Sequence, residues 1–357
     1  MSKIITIPGL IDIHVHLREP GATQKEDFET GSKAAIAGGY TAILDMPNNP
    51  IPTVTPQALD QKIALAQGRI YTDLGFHFGA TAANSKFYNK VQDKVFGLKV
   101  YMNHTTGDLL MEERLALENV FKNWPHGRPI LVHAEGGTLR KAIELARKYH
   151  QQIHVCHVSL KQEIELIKQA KKEGLNISCE VTCHHLFLTE DDAKKLGPYG
   201  MMRPPLSKEE DRDALWEAVM DGTLDIIASD HAPHTKGEKE NPEKVVNGVP
   251  GLETNLPLLL TLVNKGKISL EKVIELTSKN PRRIFKIPNQ NSEVEIDLEE
   301  KYTISSKNLY TKCGWTPFEG MEVRGKVKRV KIRGKFVFKK DLVLGPHGQV
   351  IYPKVDS

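Results

Sequence analysis

The chain has 357 residues, of which 39% are hydrophobic and 26% are charged, and its formal net charge is +4. These values are typical of a globular protein with a sizeable core, and they exclude low-complexity and strongly polybasic chains. We find no apolar run long enough to cross a membrane and no signal peptide, so we expect a cytoplasmic protein that binds no membrane. The cysteines (Cys156, Cys179, Cys183 and Cys313) form no CxxC pair, which favours reduced thiols.

Short apolar runs rich in β-branched residues alternate with longer helical patterns along most of the chain. The predicted strands are residues 10–16, 40–45, 72–79, 95–101, 129–133, 153–157, 175–181 and 224–229. The predicted helices between them include residues 25–38, 56–67, 112–121, 138–149, 160–173 and 208–220. Eight strands joined by helical crossovers predict an α/β fold in which a closed parallel sheet forms a (β/α)8 TIM barrel.

The pattern changes after the eighth predicted strand. A loop rich in Gly and Pro (231–251) leads into two predicted helices, 253–264 and 269–277. From about residue 296 the chain consists of short alternating runs with glycine turns, which indicate β-structure. We therefore predict a barrel domain over residues 1–295 and a small C-terminal β appendage over residues 296–357 that packs on it.

Basic and apolar residues alternate in residues 326–333 of this appendage. Alternation places the apolar side chains on one face of a strand and the basic side chains on the other. We interpret the segment as an edge strand with a solvated basic face, and we expect no nucleic-acid binding.

Two histidines one residue apart, His14 and His16, close the first predicted strand. Side chains at positions i and i+2 of a strand point the same way, so the pair forms a two-pronged imidazole clamp for a metal ion. Further candidate ligands lie at or near the carboxyl ends of other predicted strands. They are Lys99, His133, His157 and Asp230. Because barrel active sites lie at that end of the strands, the six residues predict one metal centre.

Lys99 is unusual in this set because an ammonium group cannot bind a cation. A desolvated position beside divalent metals favours the neutral amine, which can capture carbon dioxide as an anionic carbamate. Such a group could bridge two metals, so we predict a binuclear centre with carboxylated Lys99 between the ions. One ion is expected between the first-strand histidines and Asp230, and the other between His133 and His157. The ligand set fits zinc best.

Several sequence motifs follow one another along almost the whole chain. They are PGLIDIHVHLREPG at 8–21, MPN at 46–48, GLK at 97–99, IHVCHV at 153–158, CEVTCHHLFL at 179–188, ASDHAPH at 228–234, PGLET at 250–254, NPRRIF at 280–285 and WTPFEG at 315–320. With these motifs the chain resembles the cyclic amidohydrolase superfamily. Within it, the chain is similar to the dihydroorotases of the class found as the middle domain of the animal multifunctional pyrimidine-synthesis protein.

The resemblance implies the reversible cyclisation of N-carbamoyl-L-aspartate to L-dihydroorotate in de novo pyrimidine (UMP) biosynthesis. Asp230 is then the catalytic residue, which accepts a proton from water and passes it to the leaving nitrogen. The resemblance also implies a set of substrate-binding residues. They are Arg18, Asn48 and His234 at the substrate carboxylate, Thr105 in a loop over residues 103–107, and the backbone of Pro250 and Gly251 at the ring. An arginine suits bidentate capture of a carboxylate.

Two features of the chain depart from this family pattern or extend it. Thr106 stands where animal members have a phenylalanine, so the apolar contact that covers the substrate is expected to be weaker. Cys156 and Glu180 could hold a further metal, as in some relatives, although structural burial is the alternative for Cys156.

Two other functions stay open. A dihydropyrimidinase, hydantoinase or allantoinase would share the metal ligands, but the carboxylate-binding set favours dihydroorotate. A non-catalytic dihydroorotase-like scaffold would typically lose metal ligands, whereas all six are present here. The resemblance also implies a homodimer, and association with aspartate transcarbamoylase is a further expectation.

Overall fold

The computed structural model describes residues 3–105, 107–244 and 246–354. In chain order its strands are β1 (Ile4–Pro8), β2 (Leu10–Val15), β3 (Tyr40–Asp45), β4 (Asp73–Phe76), β5 (Phe78–Gly79), β6 (Leu98–Tyr101), β7 (Ile130–His133), β8 (Ile153–Val155), β9 (Ile177–Thr182), β10 (Ile226–Ala228), β11 (Glu293–Thr303), β12 (Glu322–Ile332), β13 (Lys335–Lys339) and β14 (Leu342–Val343). Its α-helices are α1 (Phe28–Ala37), α2 (Pro56–Ala66), α3 (Tyr88–Val91), α4 (Arg114–Asn123), α5 (Gly137–Tyr149), α6 (Lys161–Lys172), α7 (Cys183–Phe187), α8 (Glu190–Leu196), α9 (Glu209–Asp221), α10 (Lys236–Lys239), α11 (Asn255–Asn264), α12 (Leu270–Ile274) and α13 (Asn280–Ile284).

Strands β2 to β10 build a closed parallel barrel. The sheets β2-β3-β4 and β5 to β10 meet at His77, where β4 continues into β5 and the His77 N–H donates to the Asp45 carbonyl at 3.0 Å. The barrel closes between β10 and β2, where Val15 and His231 form a parallel bridge and the His16 N–H donates to the His231 carbonyl at 2.8 Å. The predicted α/β barrel is confirmed, and each of the eight predicted strand ranges contains barrel strand residues.

The barrel strands are short and are buried on both faces, so their sequences are mostly apolar. The crossover helices bury one stripe. In α5, for example, Leu139, Ala142, Ile143 and Ala146 lie on the buried face at helical spacing. Local signals also fix where helices begin, because α1 starts at a capping box formed by Asp27 with the third helical residue.

The C-terminal strands form a second, antiparallel sheet in the order β1-β11-β12-β13-β14. Its first strand comes from the N-terminus, since Ile4 pairs with Asp297 and Ile7 with Val294. The boundary between the predicted domains, residues 1–295 and 296–357, stays a prediction. Strand β1 lies within residues 1–295 but belongs to the antiparallel sheet.

The interpretation of residues 326–333 as an edge strand is wrong. β12 lies between β11 and β13 and pairs with both. Its basic side chains face acids of β11, as in the pairs Lys328–Glu300 at 2.7 Å and Arg329–Glu295 at 3.0 Å. Opposite charges on neighbouring strands therefore neutralise the basic face, which the sequence of this strand alone does not reveal.

The end of the described chain returns to the amino end of the barrel. The Leu74 N–H donates to the Gln349 carbonyl at 3.0 Å, and the Ile351 N–H donates to the Leu74 carbonyl at 2.9 Å. The Arg333 guanidinium binds the Asp73 carboxylate through two hydrogen bonds of 2.6 and 2.8 Å. These contacts fasten the appendage to the end of the barrel opposite the candidate site.

The remaining differences from the predicted elements are local. Helices α7 and α8 lie between β9 and α9, and the short α10 lies in the predicted 231–251 loop. The predicted helix 269–277 is α12 followed by a π-helical turn, Glu275–Lys279, and α13. None of the helices in the three described ranges combines the length and the apolar content that crossing a bilayer requires.

Candidate metal centre and substrate pocket

The six predicted metal ligands meet at the carboxyl ends of the barrel strands. His14 lies in β2, Lys99 in β6, and His133 is the last residue of β7. His157 and Asp230 lie two residues beyond β8 and β10. His16 follows β2 directly. None of the six residues is more than 9% exposed. The barrel thus gathers nitrogen and oxygen donors from distant parts of the sequence in a site that excludes most water.

His14 and His16 are held in matching orientations. The His14 Nδ1–H donates to the Glu180 carboxylate, and the His16 Nδ1–H donates to Asn48 Oδ1 at 2.8 Å. With protons on Nδ1, each ring directs its Nε2 at the same atom, Asp230 Oδ1, at 3.3 and 3.1 Å respectively. Two imidazole nitrogens and a carboxylate oxygen that converge in this way fit a bound cation, and hydrogen bonds at the other ring nitrogen are typical of metal-binding histidines.

The ionisable groups around this space also favour a bound cation. Burial alone would lower the pKa of His14, but the negative charges of Glu180 and Asp230 raise it to about 10. Burial lowers the pKa of His16 to about 4. Burial opposes ionisation of Asp230 as well, yet the charge of His14 and a hydrogen bond from His16 hold its pKa well below the usual range. The negative charges of Glu180 and Asp230 therefore make this space favourable for a cation.

The second histidine pair borders the same space. His133 Nδ1 and His157 Nε2 lie 2.8 Å apart, and His133 Nε2 lies 3.2 Å from Glu135 Oε1. Because a carboxylate only accepts, His133 carries its proton on Nε2 and keeps the Nδ1 lone pair toward His157. Ligand atoms of His14, His157 and Asp230 all lie within 4.8 Å of one another. The two imidazole pairs could thus hold neighbouring ions.

Lys99 is fully buried at the floor of this space. Its Nζ donates to Cys156 Sγ at 2.9 Å and lies 5.0 Å from the centre of the Tyr101 ring. In the described ranges no carboxylate lies within 4 Å of it, whereas the other fully buried lysine, Lys62, pairs with Asp45 at 2.6 Å. A lysine is rarely buried this completely without an acidic partner, so this environment is unusual for an ordinary lysine.

The backbone is strained at three of the predicted site residues. Arg18, His157 and Asp230 have φ angles of 64°, 34° and 44°, in the left-handed region that residues other than glycine rarely adopt. Such conformations persist where the surrounding structure holds them, and they cluster at functional sites. The barrel ends therefore aim these side chains inward at a conformational cost.

Two carboxylates near the site were not among the predicted ligands of the binuclear centre. Glu180, which is fully buried, also receives a 3.1 Å hydrogen bond from His154 Nε2. Asp12 accepts the backbone N–H groups of His14 and Ser229, each at 3.0 Å, and ties β2 to the end of β10. Burial raises the pKa of Asp12 to about 7. In both cases the available signal was an acidic residue inside a predicted strand.

A further group of donors lies behind His14. His14, Cys156 and Glu180 place one ligand atom each within 4.8 Å of one another, and all three are buried. Cys156 is therefore buried, and its sulfur also lies where it could bind an ion together with His14 and Glu180.

We predict that Glu180→Gln weakens metal binding by about 10- to 100-fold, because His14 and His154 contact different oxygens of Glu180 and the amide replaces one of these acceptors with a donor. Metal affinity of the apoprotein, titrated against a competing chelator, measures the effect. Glu217→Gln, on the exposed face of α9, is the matched control and should bind metal like the wild type. Equal affinities for the two variants would show that Glu180 does not support the centre.

A small cavity of about 140 Å³ opens beside His16, and Arg18 and Asn48 line it. The Arg18 Nε–H donates to the Pro233 carbonyl at 3.0 Å, and Nη2 lies 3.2 Å from His234 Nε2. Arg18 and Asn48 therefore lie at one pocket next to the metal ligands, and the buried His234 contacts Arg18. Asn48 in addition orients His16, as described above.

Pro250 and Gly251 lie beside the segment that carries Asp230. Pro250 and Gly251 are buried, and the Gly251 N–H donates to His231 Nδ1 at 3.2 Å. A Cβ at Gly251 would lie 3.2 Å from the Ser229 carbonyl oxygen, so a side chain there would crowd the end of β10. Thr105 is half-buried. Thr106 lies outside the described residues, and the prediction for its contact with the substrate stays a prediction.

Comparison with known proteins agrees with this geometry. Residues 5–337 match the model of the amidohydrolase family. The chain is 44% identical over 351 residues to the multifunctional protein CAD of Squalus acanthias, a match that covers 97% of this chain and 15% of that protein. It is 38% identical over 381 residues to the dihydroorotase of Pyrococcus abyssi, covering 100% of this chain and 89% of that relative. The chain thus spans a small part of one relative and most of the other.

Solved structures share the fold. The L-hydantoinase (dihydropyrimidinase) of Arthrobacter aurescens superposes with a TM-score of 0.92 at 28% identity, covering 98% of this chain and 89% of that one. The inactive dihydroorotase-like domain of the Chaetomium thermophilum CAD-like multifunctional protein gives a TM-score of 0.82 at 26% identity, with 98% and 99% covered. The chain belongs to the amidohydrolase family.

Proposed function

We propose that the protein is a dihydroorotase, which interconverts N-carbamoyl-L-aspartate and L-dihydroorotate in pyrimidine biosynthesis. The observation that carries this proposal is the cavity in which the Arg18 guanidinium lies beside His16 and the cluster of metal ligands. Dihydroorotate combines a ring amide, which needs activation, with a carboxylate, which needs a cationic partner. The dihydroorotase of Pyrococcus abyssi, which shares 38% of its aligned residues with this chain, supports the same assignment.

The cofactor of the proposal is a pair of zinc ions bridged by carboxylated Lys99. His14, His16 and Asp230 would hold one ion, and His133 and His157 the other. When bound, the ions would polarise the ring amide and would lower the pKa of water toward ~7. The group formed by His14 with Cys156 and Glu180 would be the position of any further ion.

The residues of the chain account for the rest of the reaction. In hydrolysis, Asp230 accepts the proton that water loses on attacking the ring carbonyl carbon. It then gives this proton to the ring nitrogen as the carbon–nitrogen bond breaks. In cyclisation the same carboxylate removes a proton from the carbamoyl nitrogen. The charge of His14 and the hydrogen bond from His16 keep Asp230 ionised, the form that can accept a proton, although the same contacts make it a weaker base. Arg18, Asn48 and His234 would hold the substrate carboxylate and so fix the ring relative to Asp230.

The test is a comparison of cyclic substrates on one metal-loaded preparation. We expect the kcat/KM for dihydroorotate to exceed those for dihydrouracil, hydantoin and allantoin by at least ~100-fold, because only dihydroorotate pairs with the buried guanidinium. Comparable values for a ring without a carboxylate would contradict the proposal and favour a dihydropyrimidinase or hydantoinase. Metal content of the same preparation addresses the scaffold alternative, since a non-catalytic relative should purify without stoichiometric metal.

A scaffold function has one argument in its favour, because an inactive dihydroorotase-like domain shares this fold. The six ligand residues present here favour an enzyme instead.

The partners are proposals of the same kind. Two relatives, from Squalus acanthias and Dictyostelium discoideum, are named as multifunctional proteins, and this chain spans 15% of each. We propose a homodimer in the cytoplasm that can associate with aspartate transcarbamoylase.

A further inference from the structure

Lys25 lies at the wall of the cavity that also contains Arg18 and Asn48. It precedes α1, and its Nζ reaches two groups of the loop after β10. One is Glu238 Oε1 at 2.9 Å, and the other is His234 Nδ1 at 3.3 Å. The side chain is 15% exposed, so the ammonium group is mostly withdrawn from water but still reaches the cavity.

The contacts of His234 show what Lys25 does to that ring. An ammonium group only donates hydrogen bonds, so His234 Nδ1 must accept from Lys25. A carbonyl only accepts, and His234 Nε2 lies 2.9 Å from the Asn247 carbonyl oxygen, so Nε2 carries the proton. Burial and the charges of Arg18 and Lys25 lower the pKa of His234 to about 2, which keeps the ring neutral. Lys25 therefore sets the tautomer of His234.

Two cations, Arg18 and Lys25, line the cavity together with one acid, Asp108. Arg18 is 6% exposed, and in the described ranges no carboxylate lies within 4 Å of its guanidinium group. Its Nη2 faces His234 Nε2 at 3.2 Å, and both of these atoms carry hydrogens. The Nε2–H of His234 is already donated to the Asn247 carbonyl, so Arg18 Nη2 finds no acceptor in this ring, and a buried guanidinium needs a counter-charge. Glu238 already pairs with Lys25 from the rim, so an anion from outside would complete the site.

We propose that Lys25 is a further specificity-determining residue of the substrate pocket: it adds a second positive charge beside Arg18 and favours the His234 tautomer that accepts nothing from Arg18 Nη2, so that a ring with a carboxylate binds better than the same ring without one. This inference rests on the proposed function, because it takes the carboxylate to be that of dihydroorotate. Lys25 is not one of the three residues, Arg18, Asn48 and His234, that we propose to hold the substrate carboxylate.

The experiment compares Lys25→Gln and Lys25→Met with Lys25→Arg and the wild type. Both neutral variants should raise the KM for dihydroorotate by about 10-fold or more while kcat changes less than threefold, because the charge acts on binding. The inhibition constant of dihydrouracil, which has the same ring without the carboxylate, should stay within twofold in every variant. Lys25→Arg should keep the KM for dihydroorotate within threefold, since it retains the charge.

The control is Lys33→Gln, which removes a lysine charge on the outer part of α1, where Lys33 pairs with Glu29. It should leave both constants unchanged. An unchanged KM for dihydroorotate in the neutral variants would overturn the inference, and so would equal losses for dihydroorotate and dihydrouracil. Circular dichroism identifies any variant that does not fold, and the remaining neutral variant then decides. If the wild type converts neither dihydroorotate nor N-carbamoyl-L-aspartate, the proposed function itself fails, which is a different outcome.

Discussion

Asp230→Asn is expected to reduce kcat by about 10²- to 10⁴-fold, the usual contribution of a positioned acid–base group, while the fold persists. Asparagine has nearly the shape of aspartate and keeps one oxygen toward His14 and His16, but it cannot accept the proton of the attacking water. It also tolerates the left-handed backbone of this position, where φ is 44°. The variant therefore isolates the loss of the proton carrier from any change in the barrel.

A second substitution of Asp230 separates the loss of turnover from the effect of backbone strain on folding stability. Asp230→Ala should lose turnover equally and should in addition lose about 1–2 kcal/mol of stability, because alanine is strained at this φ angle. Turnover in both directions and thermal unfolding are the measurements, and Asp93→Asn, an exposed aspartate after α3, is the control. If either Asp230 variant kept more than a few per cent of wild-type kcat, Asp230 could not be the proton carrier.

The barrel and the grouping of the six candidate ligand residues at one end of it could be predicted from the sequence because both depend on local patterns. A strand buried on both faces must be a short apolar run, and eight such runs with helices between them leave few topologies. The strand that ends at His133 and the one that precedes His157 were found in this way. Since parallel strands present their carboxyl ends on one side of a barrel, the polar residues that follow them could be placed together without any distance information.

Other features depend on contacts between distant segments, which the local pattern does not contain. The pairing of β1 with β11 joins the two ends of the chain, and the central position of β12 depends on β13 as well as β11. The hydrogen bond between His14 and Glu180 spans 166 positions. Its partner Glu180 lies in a predicted strand, but only the closed barrel shows which histidine it meets. The strained φ angle of Asp230 is likewise imposed by the surrounding structure.

Lys99→Ala is expected to remove most of the bound metal and nearly all activity. Lys99 reaches the centre from β6, and in the proposed centre its carbamate is the ligand that both ions share. Without that anion the ions would be held by four imidazoles and one carboxylate, with a large uncompensated positive charge in a buried site. Metal content by plasma mass spectrometry and turnover of dihydroorotate measure the two losses. Lys90→Ala, on the exposed side of α3, is the matched control and should retain metal and activity.

Short carboxylic acids should restore part of both properties, because the truncated side chain leaves a cavity that a small acid can enter with its carboxylate toward the ions. Acetate and propionate are the probes, and rescue should increase with their concentration in the Lys99→Ala variant and be absent in the control. In the wild type, intact-protein mass spectrometry should show an added mass of one carbon dioxide. An unmodified lysine in a fully metallated, active protein would contradict the bridge. The absence of any carboxylate within 4 Å of Lys99 in the described ranges would then need another explanation, since a buried lysine without a counter-charge is otherwise disfavoured.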